Sequence, residues 1–253
     1  MQHQAKRTIL GVIPARLAST RLPGKVLRPI CGRPMLHHVF ACASRCGLLD
    51  DLVVATDAKE VYEYCVENQM KVLMTSSRHA SGTDRIHEVM QVLPADIYVN
   101  IQGDEPMIRP AHLEALVQPL LQDASMHITT LKTPIGAEEA HNPNCVKVVT
   151  DMTGKALYFS RCAIPYNRDQ VPETRYFKHL GLYAYTRSAL DRFHQLPPSR
   201  LEQAEKLEQL RFLEHGIPIS VIETPYDTIG VDTEEDLAHV ERHFRDLDPS
   251  ERF

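Results

Sequence analysis

Apolar residues fall in short runs separated by stretches whose apolar positions recur every three or four residues. Residues 9–13, 52–55, 72–74 and 97–101 have strand length, and 35–46, 59–68 and 84–92 between them carry helical periodicity. On the first of these helices Leu36, Val39, Phe40 and Ala43 make an apolar stripe that reads as core, with no cofactor implied. Repeated β-α-β order predicts a mainly parallel sheet with helices on both faces. In such sheets ligands sit beyond the carboxyl ends of the strands, so the strand-to-helix loops are where chemistry is to be sought.

From about residue 146 the rhythm changes. Apolar stretches 146–150 and 156–160 flank Asp151-Met152-Thr153-Gly154, a hairpin signal with glycine supplying the positive φ. This predicts a small antiparallel insertion. A strand at 180–185, helices at 188–195 and 201–214, a strand at 219–222 and a last helix after Asp232 complete the pattern. No Gly/Ser linker, low-complexity tract or repeat interrupts the chain, which therefore reads as a single domain over 1–253 with a lid-like subregion at about 146–185.

With 253 residues, 43% of them apolar, the chain can build a real core, which excludes a disordered reading. Lys and Arg number 28 against 33 Asp and Glu, a net charge of −5, so neither nucleic acid nor an anionic membrane is an expected partner. The charge is uneven, because eight basic residues and no acid precede Asp50. A basic segment on an acidic body points to a local anion site. The six cysteines lack a paired CxxC framework and read as reduced thiols of a cytoplasmic protein. The first apolar run, 8–15, is short and broken by Pro14, so no signal peptide is expected, and no run approaches the ~18 apolar residues of a membrane span.

Three loops carry candidate chemistry. Strand 9–13 runs into Pro14-Ala15-Arg16-Leu17-Ala18-Ser19-Thr20-Arg21-Leu22-Pro23-Gly24-Lys25, which offers three cations, two hydroxyls and a glycine as a polyphosphate cradle. It is not a Walker A loop, since Ser19 and Val26 break GxxxxGK[ST], and it is not GxGxxG. Next, Gln102-Gly103-Asp104-Glu105-Pro106 follows an apolar strand. Asp104 there reads either as a hard oxygen ligand for Mg²⁺, with Gly103 allowing a phosphate close approach, or as the cap of a helix near Ala111. In Gly230-Val231-Asp232-Thr233-Glu234-Glu235-Asp236, Thr233 and Asp236 fit a capping box, which leaves Asp232 either a second metal ligand or a plain loop residue.

Together the loops say more than each alone. A unit charge pair at 4 Å is worth about 4 kcal/mol at an effective dielectric near 20, so one lysine cannot balance a triphosphate, whereas several cations with Mg²⁺ can. A cationic loop and two separated aspartates read as metal-assisted nucleotidyl transfer.

These three segments resemble the signatures of the 3-deoxy-manno-octulosonate cytidylyltransferases, or CMP-Kdo synthetases. Further matches are His79-Ala80-Ser81-Gly82-Thr83-Asp84-Arg85, Asn142-Pro143-Asn144-Cys145-Val146-Lys147, Phe159-Ser160-Arg161, Lys178-His179-Leu180-Gly181-Leu182-Tyr183 and Leu207-Glu208-Gln209-Leu210-Arg211, so the likeness spans nearly the whole chain. The resemblance implies a Rossmann-like α/β fold whose antiparallel insertion serves as lid or dimerisation region. It also implies a cytoplasmic, Mg²⁺-dependent homodimer that joins CTP to the sugar acid Kdo, giving CMP-Kdo and pyrophosphate for lipopolysaccharide assembly. By this likeness Ala15, Arg16, Ser19, Arg21, Lys25 and Ser81 hold the nucleotide, with Arg16 and Lys25 catalytic. Arg85 and Gln102 contact its cytidine end, and Asp104 and Asp232 bind the metal. Arg161, His179, Tyr183, Glu208 and Gln209 form the sugar pocket. Leu17 and Val26 depart from the family's usual aromatic and proline, away from any charge the chemistry needs.

The expected reaction is in-line attack of the anomeric hydroxyl on the α-phosphorus, without a covalent enzyme intermediate and without a dedicated side-chain base. Blander roles stand beside the sugar contacts. His179 and Tyr183 share a strand face as a core pair would, and Glu208 sits on a helical pattern where a solvated glutamate is ordinary. His38, Cys42 and Cys46, and likewise His239 and His243, share helical faces but lack the further ligands a metal needs. Alternative acceptors are 8-amino-Kdo or another nonulosonic acid. A catalytically silent nucleotide-binding regulator is the rival of another class, disfavoured by two metal-type aspartates, and a glycosyltransferase would want a DxD motif where Asp104-Glu105-Pro106 stands.

Overall fold

The computed structural model describes residues 6–17, 21–79 and 81–246. The chain forms two compact units, Met1–Glu114 with Thr228–Phe253, and Ala115–Asp227.

The first unit opens with strand β1 (Ile9–Pro14), a 3₁₀ turn at Lys25–Leu27, and the hairpin of β2 (Pro29–Ile30) and β3 (Arg33–Pro34). Helix α1 (Met35–Ala43), β4 (Asp51–Thr56), α2 (Lys59–Glu67), β5 (Val72–Met74), α3 (Gly82–Val92) and β6 (Ile97–Asn100) follow. The strands lie in the order β6-β1-β4-β5 and every pairing is parallel, with Ile9 opposite Ile97, Leu10 opposite Asp51 and Val54 opposite Val72. Central strand β1 buries Ile9, Leu10, Val12 and Ile13, the unbroken apolar run of a strand covered on both faces. The expected parallel α/β order is present. Helix α1 is shorter than its periodicity predicts: beyond Ala43 the N–H groups of Arg45 and Cys46 bond three residues back, to Cys42 and Ala43, so the last turn tightens out of the α-helix.

The unit boundary falls inside helix α4 (Pro110–Gln122). The second unit continues with β7 (Ile128–Ile135), α5 (Ala137–Ala140), β8 (Lys147–Thr150), β9 (Ala156–Ser160) and β10 (Tyr176–Thr186). Helices α6 (Arg187–Gln195), α7 (Arg200–Glu205) and α8 (Gln209–Glu214) and strand β11 (Ser220–Glu223) complete it. Strand β7 pairs parallel with β11 and antiparallel with β10, while β8 joins β10 and β9 in antiparallel ladders. The hairpin foreseen at 151–154 is present. Asp151 N–H donates to Lys155 O at 2.8 Å, and Gly154 has φ +82°.

One strand was not foreseen, and one predicted helix is corrected. Strand β7, whose ITTLKTPI sequence mixes polar and apolar positions, escaped the apolar-run criterion although most of it is buried. The helix predicted over 201–214 is broken, because Lys206 takes a left-handed conformation (φ +56°) and Leu207 N–H turns back to Glu202 O. Leu207 is buried by that break.

Helix α9 (Glu234–Asp246) returns the chain to the first unit. Its Leu237, Val240 and Phe244 pack in one cluster with Leu22, Ile30, Met35 and Val231, fastening the carboxyl-terminal segment beside the loop that follows β1.

Candidate active site

A cavity of about 680 Å³ opens in the first unit where the loops after β1, β5 and β6 meet the loop before α9. Its walls include Arg16, Arg21, Lys25, Ser81, Arg85, Gln102, Asp104 and Asp232, so residues from all three sequence-predicted loops share one space. Backbone contacts cause the convergence. The loop after β1 closes where Gly24 N–H donates to Leu17 O at 3.2 Å, with Gly24 at φ +66°, a conformation that costs glycine little. A Cβ on Gly103 would stand 2.9 Å from Pro14 O, so glycine lets the loop after β6 pack directly on β1. Close approach is thus needed here by the chain itself. Val231 N–H then donates to Asp104 O at 2.9 Å, tying the two acid-bearing loops together.

Lys25, first residue of the 3₁₀ turn, joins the acids. Its Nζ donates to the Asp104 carboxylate and, at 3.0 Å, to Asp232 Oδ1, while Arg21 Nη2 stands 2.9 Å from Asp232 Oδ2. Burial pulls the Lys25 ammonium down, but Asp104 and Asp232 outweigh it and hold its pKa above the ordinary lysine value. The site is therefore assembled with its charges paired. Thr233 and Asp236 form the expected capping box, Asp236 N–H donating to Thr233 Oγ1 at 3.1 Å and Thr233 N–H to Asp236 Oδ2 at 2.9 Å. Asp232 is thereby spared capping duty. Asp104 is not the cap of α4 either, since that helix begins at Pro110 and Arg109 N–H is taken by His112 Nδ1.

The opposite elements of the cavity are built on α3. Ser81 caps that helix, its Oγ accepting from Asp84 N–H at 3.1 Å. Arg85 is buried, donating through Nη1 to Thr75 Oγ1 and lying 3.2 Å from Asp57 Oδ2. Arg16 is exposed at the cavity. Ala15 is fully buried and gives its N–H to Ala55 O at 2.9 Å, outside the cavity wall. Ser19 lies outside the described residues. Sequence reasoning did not assign His79 to the site, although it begins the His79-to-Arg85 motif; it lines the cavity and bonds the Glu88 carboxylate through Nε2.

The second unit holds the other five candidates. Arg161 is half-buried; Nε donates to Glu205 O at 2.8 Å and Nη1 to Pro143 O at 3.1 Å, which leaves three of its five N–H donors without a partner among the described residues. Beneath it lies Lys147, fully buried, whose ammonium donates to the carbonyls of Asn142 (2.8 Å), Cys145 and Arg161 (2.6 Å). His179 and Tyr183 lie on one side of β10, as the alternation predicts, with ring centroids 5.4 Å apart, in a row completed by Phe159 and Tyr185. They are core residues by position. Burial depresses the His179 pKa to about 3, so the ring is neutral, and its Nε2 lies 3.0 Å from Thr130 Oγ1, whose own proton serves a carbonyl of β10. The Tyr183 hydroxyl, buried near Thr130, finds no hydrogen-bond partner among the described residues, and burial pushes the phenol well above its ordinary pKa. Glu208 is half-buried at the start of α8 rather than exposed along a continuous helix, because the break at Lys206 turns it, and Gln209 after it is buried.

Among the described residues no helix is long and apolar enough to cross a membrane. The Cytidylyltransferase family description matches residues 10–222. The 3-deoxy-manno-octulosonate cytidylyltransferase of Koribacter versatilis is 56% identical over 93% of this chain and 90% of its own length. That of Acidobacterium capsulatum is 56% identical over 92% and 95%. The solved structure of CMP:2-keto-3-deoxy-manno-octonic acid synthetase complexed with CTP superposes with a TM-score of 0.91 at 46% identity, over 94% of this chain and 98% of that one. A cavity walled by cations and two converging aspartates, on a backbone this close to a CTP-binding synthetase, agrees with the sequence signatures throughout: the chain belongs to the 3-deoxy-manno-octulosonate cytidylyltransferases.

Proposed function

We propose that this chain transfers the cytidylyl group of CTP to Kdo, forming CMP-Kdo and releasing pyrophosphate. The observation that carries the reading is the meeting of Lys25, Arg21, Arg16, Asp104 and Asp232 around one cavity. Three cations suit a triphosphate, and two carboxylates aimed at one ammonium mark a place where positive charge is accommodated between hard oxygens. No cluster of three or more ligating side chains occurs among the described residues. Mg²⁺ fits that donor set, since it is held by one or two carboxylates with phosphate and water oxygens completing its shell. With the ion bound, Asp104 and Asp232 are its ligands, and it supplies neutralisation of phosphate charge.

Lys25 then exchanges its carboxylate partners for phosphate oxygens, and the exposed guanidiniums of Arg16 and Arg21 add forked donors that steady the leaving pyrophosphate. The sugar hydroxyl attacks the α-phosphorus in line; its oxygen bonds to phosphorus as the bond to the pyrophosphate oxygen breaks, and its proton passes to solvent water, no side-chain base being required. Arg161 offers unspent donors to the sugar carboxylate, and Tyr183, Glu208 and Gln209 offer groups for its hydroxyls. His179 acts as a neutral support for that surface. The reading includes a cytoplasmic homodimer serving lipopolysaccharide assembly, supported by cysteines that are all free and by exposed Met152, Leu157 and Tyr166 in the insertion.

The test is pyrophosphate release from CTP with Kdo, 8-amino-Kdo and N-acetylneuraminate offered separately, with and without Mg²⁺. Kdo is expected to be turned over fastest, and only with the metal. No release with any of the three acids overturns the reading.

A further inference from the structure

CTP and UTP carry the same ribose and triphosphate, so Arg16, Arg21 and Lys25 bind both alike and something else must read the base. Cytosine presents a 4-amino donor where uracil presents a carbonyl acceptor. A reader therefore needs a group whose acceptor character is fixed. Among the polar side chains on the α3 side of the cavity, Ser81 spends its hydroxyl on Asp84, accepting from its N–H and donating to Oδ2. Arg85 has only donors. Gln102 carries an amide, which can present either sign.

His79 differs. Its Nε2 is bonded to Glu88 Oε2, and that same oxygen accepts from Ser76 N–H at 2.9 Å. Burial raises the Glu88 pKa, but opposing causes, the hydrogen bonds from His79 and Ser76 foremost, outweigh it and hold the carboxyl below its usual range. An ionised carboxylate can only accept, so in the neutral ring Nε2 carries the hydrogen and Nδ1 keeps its lone pair. The ring lines the cavity, and Nδ1 has no partner among the described residues.

We infer that His79, locked by Glu88, is a specificity-determining residue that accepts a hydrogen bond from the exocyclic amine of the base and so selects CTP over UTP. This rests on CTP being the nucleotide of the cavity. Against UTP the same lone pair faces a carbonyl oxygen, and a buried acceptor left unpaired is penalised.

Binding of CTP and of UTP is measured by calorimetry without any sugar acid, for the wild type, His79→Leu and Glu88→Gln. The wild type is expected to favour CTP by tenfold or more. His79→Leu should bring the two within about twofold, chiefly by weakening CTP at least fivefold, a loss of about 1 kcal/mol or more. Glu88→Gln should fall between them, because an amide partner no longer dictates which ring nitrogen is protonated. Should a variant fail to fold, ¹⁵N spectra of the wild-type imidazole decide: hydrogen on Nε2, and an Nδ1 resonance shifted by CTP but not by UTP, support the assignment. An undiminished preference in His79→Leu, or hydrogen on Nδ1 in the free protein, overturns it. Since no acceptor is present, a protein that discriminates bases through His79 yet turns over none of the sugar acids refutes the proposed reaction and leaves this inference intact.

Discussion

Lys25 in the first unit and Lys147 in the second are both largely withdrawn from water, yet their surroundings are opposite. Lys25 faces the carboxylates of Asp104 and Asp232 at the wall of an open cavity, and its pKa is raised. Lys147 meets only neutral carbonyls, of Asn142, Cys145 and Arg161; burial lowers its pKa, the nearby Cys145, Cys162 and Glu205 only partly opposing it. An ammonium paired with carboxylates can be handed to an anionic ligand while the carboxylates take up another cation. One fixed by three carbonyls has nothing to exchange and serves to hold backbone in place. The first unit thus keeps exchangeable charge ready, whereas the second offers groups set in advance: Lys147 committed to carbonyls, His179 neutral, and Arg161 anchored by two of its five donors.

The sharpest way to break that comparison is to remove one acid. Asp104→Asn and Asp232→Asn are each expected to lower turnover by about 10³-fold, some 4 kcal/mol in the barrier, as loss of preorganised charge stabilisation does. Both carboxylates are part-exposed, so thermal unfolding should shift by no more than about 1 kcal/mol. Pyrophosphate release and melting curves read the two effects. Turnover left intact in either variant removes that residue from the machinery.

Lys147→Met should behave in the reverse sense. It strands three buried carbonyls and lets Arg161 and the 142–145 turn separate, costing about 3 kcal/mol of stability by denaturant melting. What activity survives should show a raised KM for the sugar acid with an unchanged KM for CTP. Equal increases in both would show that Lys147 supports more than Arg161.

The same contrast explains what could be read before any coordinates. Loops beyond parallel strands gather cations and acids next to apolar strand ends, and these stand out in a sequence because burial would otherwise forbid them; Lys25, Asp104 and Asp232 were legible for that reason. The capping box at Thr233 and Asp236 was legible because its spacing is local. In the second unit the informative contacts are non-local. Lys147 reads as any strand lysine until carbonyls of the 142–145 turn and of Arg161 surround it, and the break at Lys206 depends on Leu207 finding the core. Strand β7 escaped for a related reason: its threonines are buried, Thr129 satisfied by Leu116 O and Thr130 by carbonyls of β10, so polarity did not mark exposure.

A pH titration of stability probes the neutral character of the second unit. The His179 pKa lies near 3 in the folded chain against 6.5 as the ordinary value, so below pH 6.5 the unfolded chain takes up a proton that the folded one refuses. Stability is therefore complete above pH 6.5 and is lost as pH falls towards 3, by about 1.4 kcal/mol per pH unit within that window. His179→Gln, which keeps a donor for Thr130, should flatten this slope in denaturant melts at pH 7, 6 and 5. A slope identical in wild type and variant would mean that the buried ring is not the group responsible.

The smallest effect separates packing from binding at Tyr183. The ring belongs to the stacked row with Tyr185, centroids 5.5 Å apart, and Tyr183→Phe retains all of that contact. It removes a hydroxyl that has no hydrogen-bond partner among the described residues, so the free protein should be unchanged or more stable by up to about 1 kcal/mol. If the hydroxyl exists to meet the acceptor sugar, the variant should nevertheless raise KM for Kdo several-fold, leaving KM for CTP where it was. A polar atom kept at the expense of stability and recovered only in the complex is the signature of a binding group. A variant that is more stable and equally tight for Kdo would instead assign Tyr183 wholly to the aromatic core, and the sugar contacts would then fall to Arg161, Glu208 and Gln209.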